Sequence, residues 1–122
     1  MKNILIIQGG GRPNGNTAQL VEHFARGAKE AGHTVEVISL RKQEVKGCMG
    51  CNACRYGKPC VQKDSFNELV PKIKDADCIV FASPLLFWTI SAQLKALIER
   101  FYCIPTRRWD GMRNTPPKTA PC

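Results

Sequence analysis

The stretch Ile4–Thr17, ILIIQGGGRPNGNT, decides how the rest of the chain is interpreted. Its continuous apolar start is typical of a buried strand, and a helical pattern follows its last residue. Between them, Gly9–Gly11 let the backbone approach a ligand because no Cβ stands in the way. A strand that turns through glycines into a helix start is a favourable place to hold an anion. The stretch therefore predicts a phosphate-binding loop, with Asn16 and Thr17 as donors and Arg12 as a positive charge.

Two familiar phosphate loops do not match this stretch. The Gly-Lys-Ser/Thr ending of triphosphate P-loops is absent, and Asn14 stands where a dinucleotide G-x-G-x-x-G loop needs glycine. A phosphatase loop is also excluded, since no cysteine in the chain has an arginine at the spacing that such loops require. A tight turn without any ligand remains the alternative, although the run Asn14–Thr17 after the glycines exceeds what a plain turn needs.

Length and composition bound the class of protein. At 122 residues with 43% hydrophobic content, the chain is one domain large enough for a real core. No apolar run approaches the length of a membrane span and no signal peptide is visible after Lys2, so we expect a cytoplasmic protein without a membrane partner. The net charge of +8 suits an anionic cofactor. A nucleic-acid partner is the competing interpretation, but no nucleic-acid-binding motif is recognisable.

Strand and helix patterns alternate along the chain. Apolar runs predict strands at Asn3–Gln8, Thr34–Leu40 and Asp77–Ser83. Helical spacing predicts helices from about Thr17 to Ala31, after Asp64 or Ser65, and from Thr89 or Ser91 to about Phe101. Such alternation is typical of an α/β domain with a parallel sheet and right-handed crossovers. Ligands of these sheets bind beyond the carboxyl ends of the strands, so the three loops that follow the strands are expected to meet.

Capping residues predict where these helices begin and end. Asn16 is expected to cap the first helix and Gly32 to end it. In the second helix, Glu68 is expected to complete a capping box with Ser65, and Pro71 to kink or shorten the helix. The apolar face of the first helix is expected to be buried, and it comprises Leu20, Val21, Phe24, Ala25 and Ala28.

Four of the seven cysteines lie in a stretch without strand or helix periodicity. The spacing C-x2-C-x2-C-x5-C joins Cys48, Cys51, Cys54 and Cys60. Closely spaced thiolates of this kind favour an iron–sulfur cubane, [4Fe–4S]. Zinc is the second interpretation, because structural zinc more often uses two separated C-x2-C pairs, and free or packed thiols are the third. Cys78 and Cys103 are expected in the core.

The loop Pro84–Thr89 after the third predicted strand carries bulky side chains. Phe87 and Trp88 are suited to border a flat ring, and backbone N–H groups there could reach the polar edge of that ring. Ordinary packing or an oligomer contact is the alternative interpretation of these two aromatic residues.

Three runs in the chain, GGGRPNGNT, ASPLLFW and LKALIERF, resemble the flavodoxin-like NAD(P)H-dependent FMN reductases. The cysteine spacing resembles that of the iron–sulfur flavoprotein branch of this family. The resemblance covers about residues 1–103 and leaves residues 104–122 as an irregular tail. It implies a flavodoxin-like three-layer α/β/α fold with a parallel sheet, which binds FMN noncovalently.

The resemblance also implies which residues form the site. In that family the first loop holds the FMN phosphate, and this loop corresponds here to Gly10, Arg12, Asn14, Gly15, Asn16 and Thr17. The loop after the third strand lies against the isoalloxazine ring, and it corresponds to Pro84, Leu85, Leu86, Phe87 and Trp88. The ligands of an iron–sulfur cluster would be the four closely spaced cysteines.

The implied function is that of an FMN-dependent oxidoreductase or electron-transfer flavoprotein. NAD(P)H or another small-molecule or protein donor would reduce the flavin, and a [4Fe–4S] cluster would take its electrons one at a time. The alternative is a non-enzymatic, cysteine-rich metal-binding or electron-transfer module without flavin.

The chain departs from the family in one respect. The flavodoxin-like fold has further strands after the third, and this sequence shows only three. A fragment, a truncated product and a protein completed by a partner are the alternatives. Because an open sheet edge recruits a partner, a homo-oligomer is expected.

Overall fold

Strands and helices alternate along residues 1–55 and 58–104, which a computed structural model of the chain describes. The strands are β1 (Asn3–Gln8), β2 (Thr34–Ser39) and β3 (Cys78–Ala82). The helices are α1 (Asn16–Glu30), α2 (Phe66–Asp75) and α3 (Ala92–Arg100). Short 3-10 turns follow β2 at Leu40–Lys42 and α3 at Phe101–Cys103. The predicted order of elements is confirmed, and most boundaries shift by about a residue.

The three strands form one parallel sheet in the order β2-β1-β3. Ile4 of β1 is aligned with Val35 on one side and with Cys78 on the other. As the central strand, β1 has helices on both faces, and Leu5, Ile6 and Ile7 are therefore almost completely buried. The continuous apolar run at the start of the chain is explained by this position.

Helices cover both faces of the sheet and make three layers. On one face, Ile6 packs with Val21 and Ala25 of α1. On the other face, Leu5 and Ile7 belong to a larger core with Phe66, Leu69 and Ile73 of α2 and Leu94 and Leu97 of α3. Successive residues of a strand point to opposite faces, so one strand supplies both cores. The predicted α/β/α layering is confirmed.

The ends of α1 are correctly predicted on one side only. Gly32 ends the helix as expected: its φ is +91°, its N–H donates to Lys29 O and the His33 N–H donates to Ala28 O. This pairing is the Schellman motif, which favours glycine at that position. At the other end Asn16 is the first helical residue, and the N-cap is Gly15, which has no side chain to form a capping hydrogen bond.

The apolar face of α1 is narrower than its sequence pattern predicts. Val21 and Ala25 are buried, but Leu20 and Phe24 are 72% and 48% exposed. Among the described residues, α1 is alone on its face of the sheet, and a single helix contacts the strands through a narrow stripe. Cys78 is a similar correction, because it is exposed on β3, whereas Cys103 is buried as predicted.

The caps of the other two helices also differ in part from expectation. Ser65 forms no side-chain cap on α2, because its Oγ accepts a hydrogen bond from Glu44 N. Asp64 Oδ1 instead accepts from Phe66 N at 3.2 Å. Helix α2 continues past Pro71 to Asp75. Ser91 caps α3 as predicted, with Leu94 N donating to its Oγ.

The described residues contain no helix with both the length and the apolar character needed to cross a membrane. The predicted tail at residues 104–122 lies outside the described residues except for Ile104, which is buried in the core on the α2 and α3 side of the sheet.

Candidate functional site

The glycine loop after β1 is packed directly against the start of α3. Gly9 N donates to Ala82 O at 2.7 Å, which ties the loop to the end of β3. A Cβ on Gly9 would lie 2.6 Å from Ser91 Oγ and 2.9 Å from Leu94 Cβ. Such distances are shorter than any side chain tolerates, so only glycine allows α3 to approach the loop this closely.

A cleft of about 440 Å³ opens between the glycine loop and the loop after β3. Its lining residues are Gly10, Gly11, Arg12, Gly15, Asn16, Thr17, Pro84 and Leu86. The volume is within the range of about 300–1,000 Å³ that is usual for small-molecule sites. A Cβ on Gly10 would lie 3.7 Å from Thr17 Cβ and 3.8 Å from Pro84 Cδ, so the absence of that Cβ keeps the space between the two walls open.

The start of α1 gives this cleft its polar end. Because Gly15 offers no capping side chain, the first N–H groups of α1 have no side-chain acceptor there. The partial positive charge of a helix N-terminus favours an anion at this point. Asn16 and Thr17 line the cleft beside these N–H groups, and the exposed Arg12 adds a full positive charge. The arrangement suits a phosphate.

Two serines hold the loop after β3 in place. Ser83 Oγ donates to Pro84 O at 2.8 Å and accepts from Ser91 N at 2.8 Å. Ser91 is itself 1% exposed and caps α3. The apolar wall of the cleft, formed by Pro84 and Leu86, is therefore fixed to the beginning of α3.

A hairpin turn with unusual residues closes the same loop. Leu86 and Thr89 exchange two backbone hydrogen bonds, of 2.9 and 3.2 Å. Between them, Phe87 and Trp88 have φ of +46° and +65°, the conformation that Asn and Gly favour in type I′ turns. Their side chains are 98% and 88% exposed. Two large aromatic residues held in a strained conformation in solvent are typical of a binding site.

The two ends of the cysteine loop, residues 43–65, are hydrogen-bonded to each other, and we call the residues that join them, Glu44, Lys46, Asp64 and Ser65, the base of the loop. Ser65 N donates to Glu44 O at 3.0 Å, and Glu44 N donates back to Ser65 Oγ. One step further in, Lys46 N donates to Asp64 Oδ2 at 3.0 Å. These bonds join the two ends of the long loop, which restricts the cysteine-bearing segment between them.

Arg100, the last residue of α3, crosses the base of the cysteine loop. Its guanidinium donates to Asp64 Oδ2 at 2.6 Å, to Asp64 Oδ1 at 3.1 Å, to Lys46 O at 2.9 Å and to Cys60 Sγ at 3.3 Å. It also lies 4.7 Å from the centre of the Phe66 ring, a distance that allows a cation–π interaction. The side chains of Arg100 and Asp64 are 1% and 3% exposed, so this ion pair is buried.

Pairing lowers the pKa of Asp64 and raises the pKa of Arg100, so that both groups favour their charged forms. Burial alone would raise the pKa of Asp64, but hydrogen bonds from Arg100, Lys46 N and Phe66 N outweigh burial and hold that pKa below its ordinary value of 3.8. Burial would likewise lower the pKa of Arg100, whereas the hydrogen bonds and charges of Asp64 and Cys60 raise it. Both groups are therefore charged at neutral pH.

All four predicted cysteine ligands border one small cavity. Its lining includes Cys48, Cys51, Cys54 and Cys60, together with Arg100, Tyr102 and Cys103. Within the part of the chain that the structure describes, no three Cys, His or acidic side chains are arranged as a preformed metal site. The donor set is that of an iron–sulfur or zinc centre, and its four thiols are gathered but not yet in ligand geometry.

The structure brings together most, but not all, of the predicted flavin-site residues. Asn14, Leu85, Phe87 and Trp88 do not line the cleft, although the last two lie in the turn beside it. The cysteine cavity and the cleft share no lining residue, so only two of the three loops that were expected to meet line one cavity. Helix α3 connects the two sites, with Ser91 at one end and Arg100 at the other.

Sequence reasoning missed the role of Arg100. The signal was present, because Leu94, Leu97 and Arg100 follow one another at helical spacing and the first two are core residues. An arginine that continues a buried stripe needs a buried acid, but the position of Asp64 just before α2 indicates only a helix cap.

Comparison with known proteins agrees with this geometry. The sequence profile of the family described as NADPH-dependent FMN reductase matches residues 2–116. An iron–sulfur flavoprotein of Methanocaldococcus jannaschii is 40% identical over 97 residues, which cover 80% of this chain and 50% of that protein. An iron–sulfur flavoprotein of Archaeoglobus fulgidus is 41% identical over 91 residues, which cover 74% and 45% respectively. The chain thus spans about half the length of the curated relatives it matches.

Among solved structures, an NAD(P)H:quinone oxidoreductase from Methanothermobacter marburgensis has a TM-score of 0.70 at 21% identity, over 82% of this chain and 53% of that chain. This likeness, with the strand order β2-β1-β3, confirms the flavodoxin-like fold. Since the family profile spans nearly all of the sequence, the chain belongs to the NADPH-dependent FMN reductase family, in its iron–sulfur flavoprotein branch.

Proposed function

We propose that this chain binds FMN in the cleft between the glycine loop and the loop after β3, and acts as an NAD(P)H-dependent oxidoreductase or electron-transfer flavoprotein. The observation that carries the proposal is the meeting of a helix N-terminus, an arginine and an apolar wall in one cleft. This cleft lies beyond the carboxyl ends of parallel strands, where ligands of such sheets bind.

Each wall of the cleft has a separate task. The first N–H groups of α1, with Asn16 and Thr17, bind the phosphate, and Arg12 balances its charge. Pro84 and Leu86 form an apolar surface for the ring system, held by the hydrogen bond from Ser91 N to Ser83 Oγ. The flavin supplies the ability to accept two electrons and release them singly.

We further propose that Cys48, Cys51, Cys54 and Cys60 hold a [4Fe–4S] cluster. Support comes from their spacing, from the cavity that all four border and from the names of the iron–sulfur flavoproteins to which the chain is similar. Arg100 and the nearby lysines counter the negative charge that four thiolates bring. Zinc on the same cysteines is the competing assignment.

Visible absorption of anaerobically purified protein tests both assignments. Bound FMN gives resolved bands in the blue and near-ultraviolet, an iron–sulfur cluster gives a broad brown shoulder, and zinc gives neither. Cys51→Ala should abolish the brown shoulder and the iron and sulfide content while leaving the flavin bands unchanged, because one of four ligands is lost. Protein that binds no FMN in a titration would refute the flavin proposal in favour of a metal-binding module without flavin.

The electron donor and the partner chain form the last part of the proposal. We infer that NADH or NADPH reduces the flavin. Adding each nucleotide separately under anaerobic conditions and comparing how fast the flavin absorption bleaches identifies the donor. We also infer that copies of the chain associate along the outer edge of β3, a strand without charged residues that has no partner on this side among the described residues.

A further inference from the structure

The side chain of Arg100 is buried against the cysteine loop and hydrogen-bonded to it, whereas an ordinary surface arginine is exposed to solvent. It is 1% exposed and reaches both ends of the loop, since Lys46 O lies on the incoming side and Asp64 on the outgoing side. Its third partner is Cys60 Sγ, at 3.3 Å. The same guanidinium therefore closes the loop and holds the last of its four cysteines.

The contacts of Arg100 require the shape of a guanidinium. Nη1 and Nη2 each donate one hydrogen bond to the Asp64 carboxylate, and each donates a second one, Nη1 to Lys46 O and Nη2 to Cys60 Sγ. A lysine ammonium is a point charge and cannot present planar, paired donors in this way. Arg100 Nε is buried without a hydrogen-bond partner among the described residues, so one donor remains unused on a side chain that borders the cysteine cavity.

We propose that Arg100 is the positioning residue of this thiol site: it fixes Cys60 and locks the loop base so that four cysteines border one cavity before any metal arrives. The inference rests on the proposed role of those cysteines as metal or cluster ligands. Residues that hydrogen-bond to ligands usually contribute about 10- to 100-fold in metal affinity. Arg100 does so through a sulfur ligand and through the backbone of the loop.

Titration of the metal-free, reduced chain with Co²⁺ alone tests this proposal, with the thiolate-to-cobalt charge-transfer band as the readout. Arg100→Lys should weaken Co²⁺ binding by about tenfold or more, because the charge stays but the paired contacts are lost. The double variant Asp64→Asn with Arg100→Met leaves no unpaired buried charge, so it should fold and show at least the same loss. Arg26→Lys, the same exchange on the exposed face of α1, should change nothing.

Each outcome decides the matter. Equal affinity and an equal charge-transfer band in Arg100→Lys or the double variant would overturn the proposal, as would a wild-type chain that shows no thiolate-to-cobalt band. Should neither variant fold, amide exchange of the metal-free wild type decides, because the N–H groups of Lys46, Ser65 and Phe66 must exchange more slowly than those of the exposed Cys51 and Asn52 within the loop. If they exchange equally fast, the loop base is not locked and the proposal fails. A cobalt band without iron–sulfur reconstitution rejects only the [4Fe–4S] assignment.

Discussion

Asn16 and Thr17 lie where a phosphate would gain most from this fold, at an α1 terminus that has no capping side chain. We expect Thr17→Ala or Asn16→Ala to weaken FMN binding by on the order of 1–3 kcal/mol, because each removes a polar group beside a charged ligand. Quenching of flavin fluorescence on titration into the apoprotein measures the affinity. Gln19→Ala, on the exposed side of the same helix, is the matched control. An unchanged FMN affinity in both Asn16→Ala and Thr17→Ala would refute the assignment of the phosphate to this end of the cleft.

Asp64 should make the stability of the chain depend on acid. Its folded pKa lies below 3.8, so its contribution is complete above the pKa of the unfolded chain and is lost as pH falls through the folded pKa. At neutral pH, Asp64→Asn should cost about 3–5 kcal/mol, because it leaves the Arg100 charge buried without its partner.

Urea denaturation of the wild type and Asp64→Asn across this pH range measures the effect. The difference in unfolding free energy should be constant near neutral pH and shrink as the pH drops below about 4. Asp75→Asn, which removes an exposed carboxylate at the end of α2, should show no comparable difference. A gap between wild type and Asp64→Asn that stays constant down to acid would contradict the buried pair.

At the scale of elements, the turn at Leu86–Thr89 lowers the stability of the chain, because it holds two exposed aromatic residues at positive φ. Trp88 has a φ of +65° and is 88% exposed, so its side chain gains little from packing in exchange for the strain. Trp88→Gly should raise the unfolding free energy by about 1 kcal/mol, because glycine adopts this φ without strain. It should also weaken FMN binding, because the turn beside the proposed flavin cleft loses an exposed aromatic ring. Urea denaturation and a flavin titration measure the two effects separately.

Leu85→Ala provides the comparison for that turn. Leu85 is exposed in the same loop but does not have a positive φ, so its replacement should give no gain in stability. Loss of stability in Trp88→Gly would mean that the aromatic ring packs on something, and the strain argument would fail. Unchanged FMN affinity would show that the turn does not border the flavin.

Elements whose signals are local could be predicted from sequence. Strand β1 follows from its apolar run, the end of α1 from Gly32 and the start of α3 from Ser91, and all three are found. Features that depend on distant partners were not predictable. Ser65 does not cap α2, because its hydroxyl oxygen accepts a hydrogen bond from the backbone N–H of Glu44 at the other end of the loop.

The candidate site divides in the same way. The glycine loop has a local pattern and lines the cleft as expected. Local preferences argue against Phe87 and Trp88 in a turn with positive φ, so that conformation could not be foreseen. The pairing of Arg100 with Asp64 joins residues that are 36 positions apart, and no periodicity in either segment records it.

Helix α3 sets the distance between the two candidate sites. Its first turn is packed on Gly9 and hydrogen-bonded to Ser83, while its last residue, Arg100, closes the cysteine loop. Nine residues at 1.5 Å each give an axis of about 14 Å between these ends. Since Leu94 and Leu97 are buried in the core between them, neither end moves without disturbing the core. The proposed flavin cleft and the thiol cavity are therefore held at a fixed separation.

At the scale of the whole molecule, the sheet has two edges of different character. Strand β2 has Glu36 on its edge, exposed and paired with Lys72, and charges of this kind discourage edge-to-edge pairing. Strand β3, CIVFA, has neither a charge nor a proline, and its Phe81 is 42% exposed. Among the described residues no strand pairs with its outer side. The edge of β3 is therefore where a second copy would add.

We expect the chain to form an oligomer in solution and Cys78→Lys to reduce it to single chains. Cys78 is exposed at the start of β3, and a lysine there places a charge on the edge without entering the core. Gel filtration with light scattering measures the mass, and Thr34→Lys on the edge of β2 is the matched control that should leave it unchanged. FMN affinity should be similar in both variants, because neither residue lines the cleft. A wild-type chain that is monomeric at high concentration, or a Cys78→Lys variant that keeps the oligomer, would show that copies of the chain do not associate through the edge of β3.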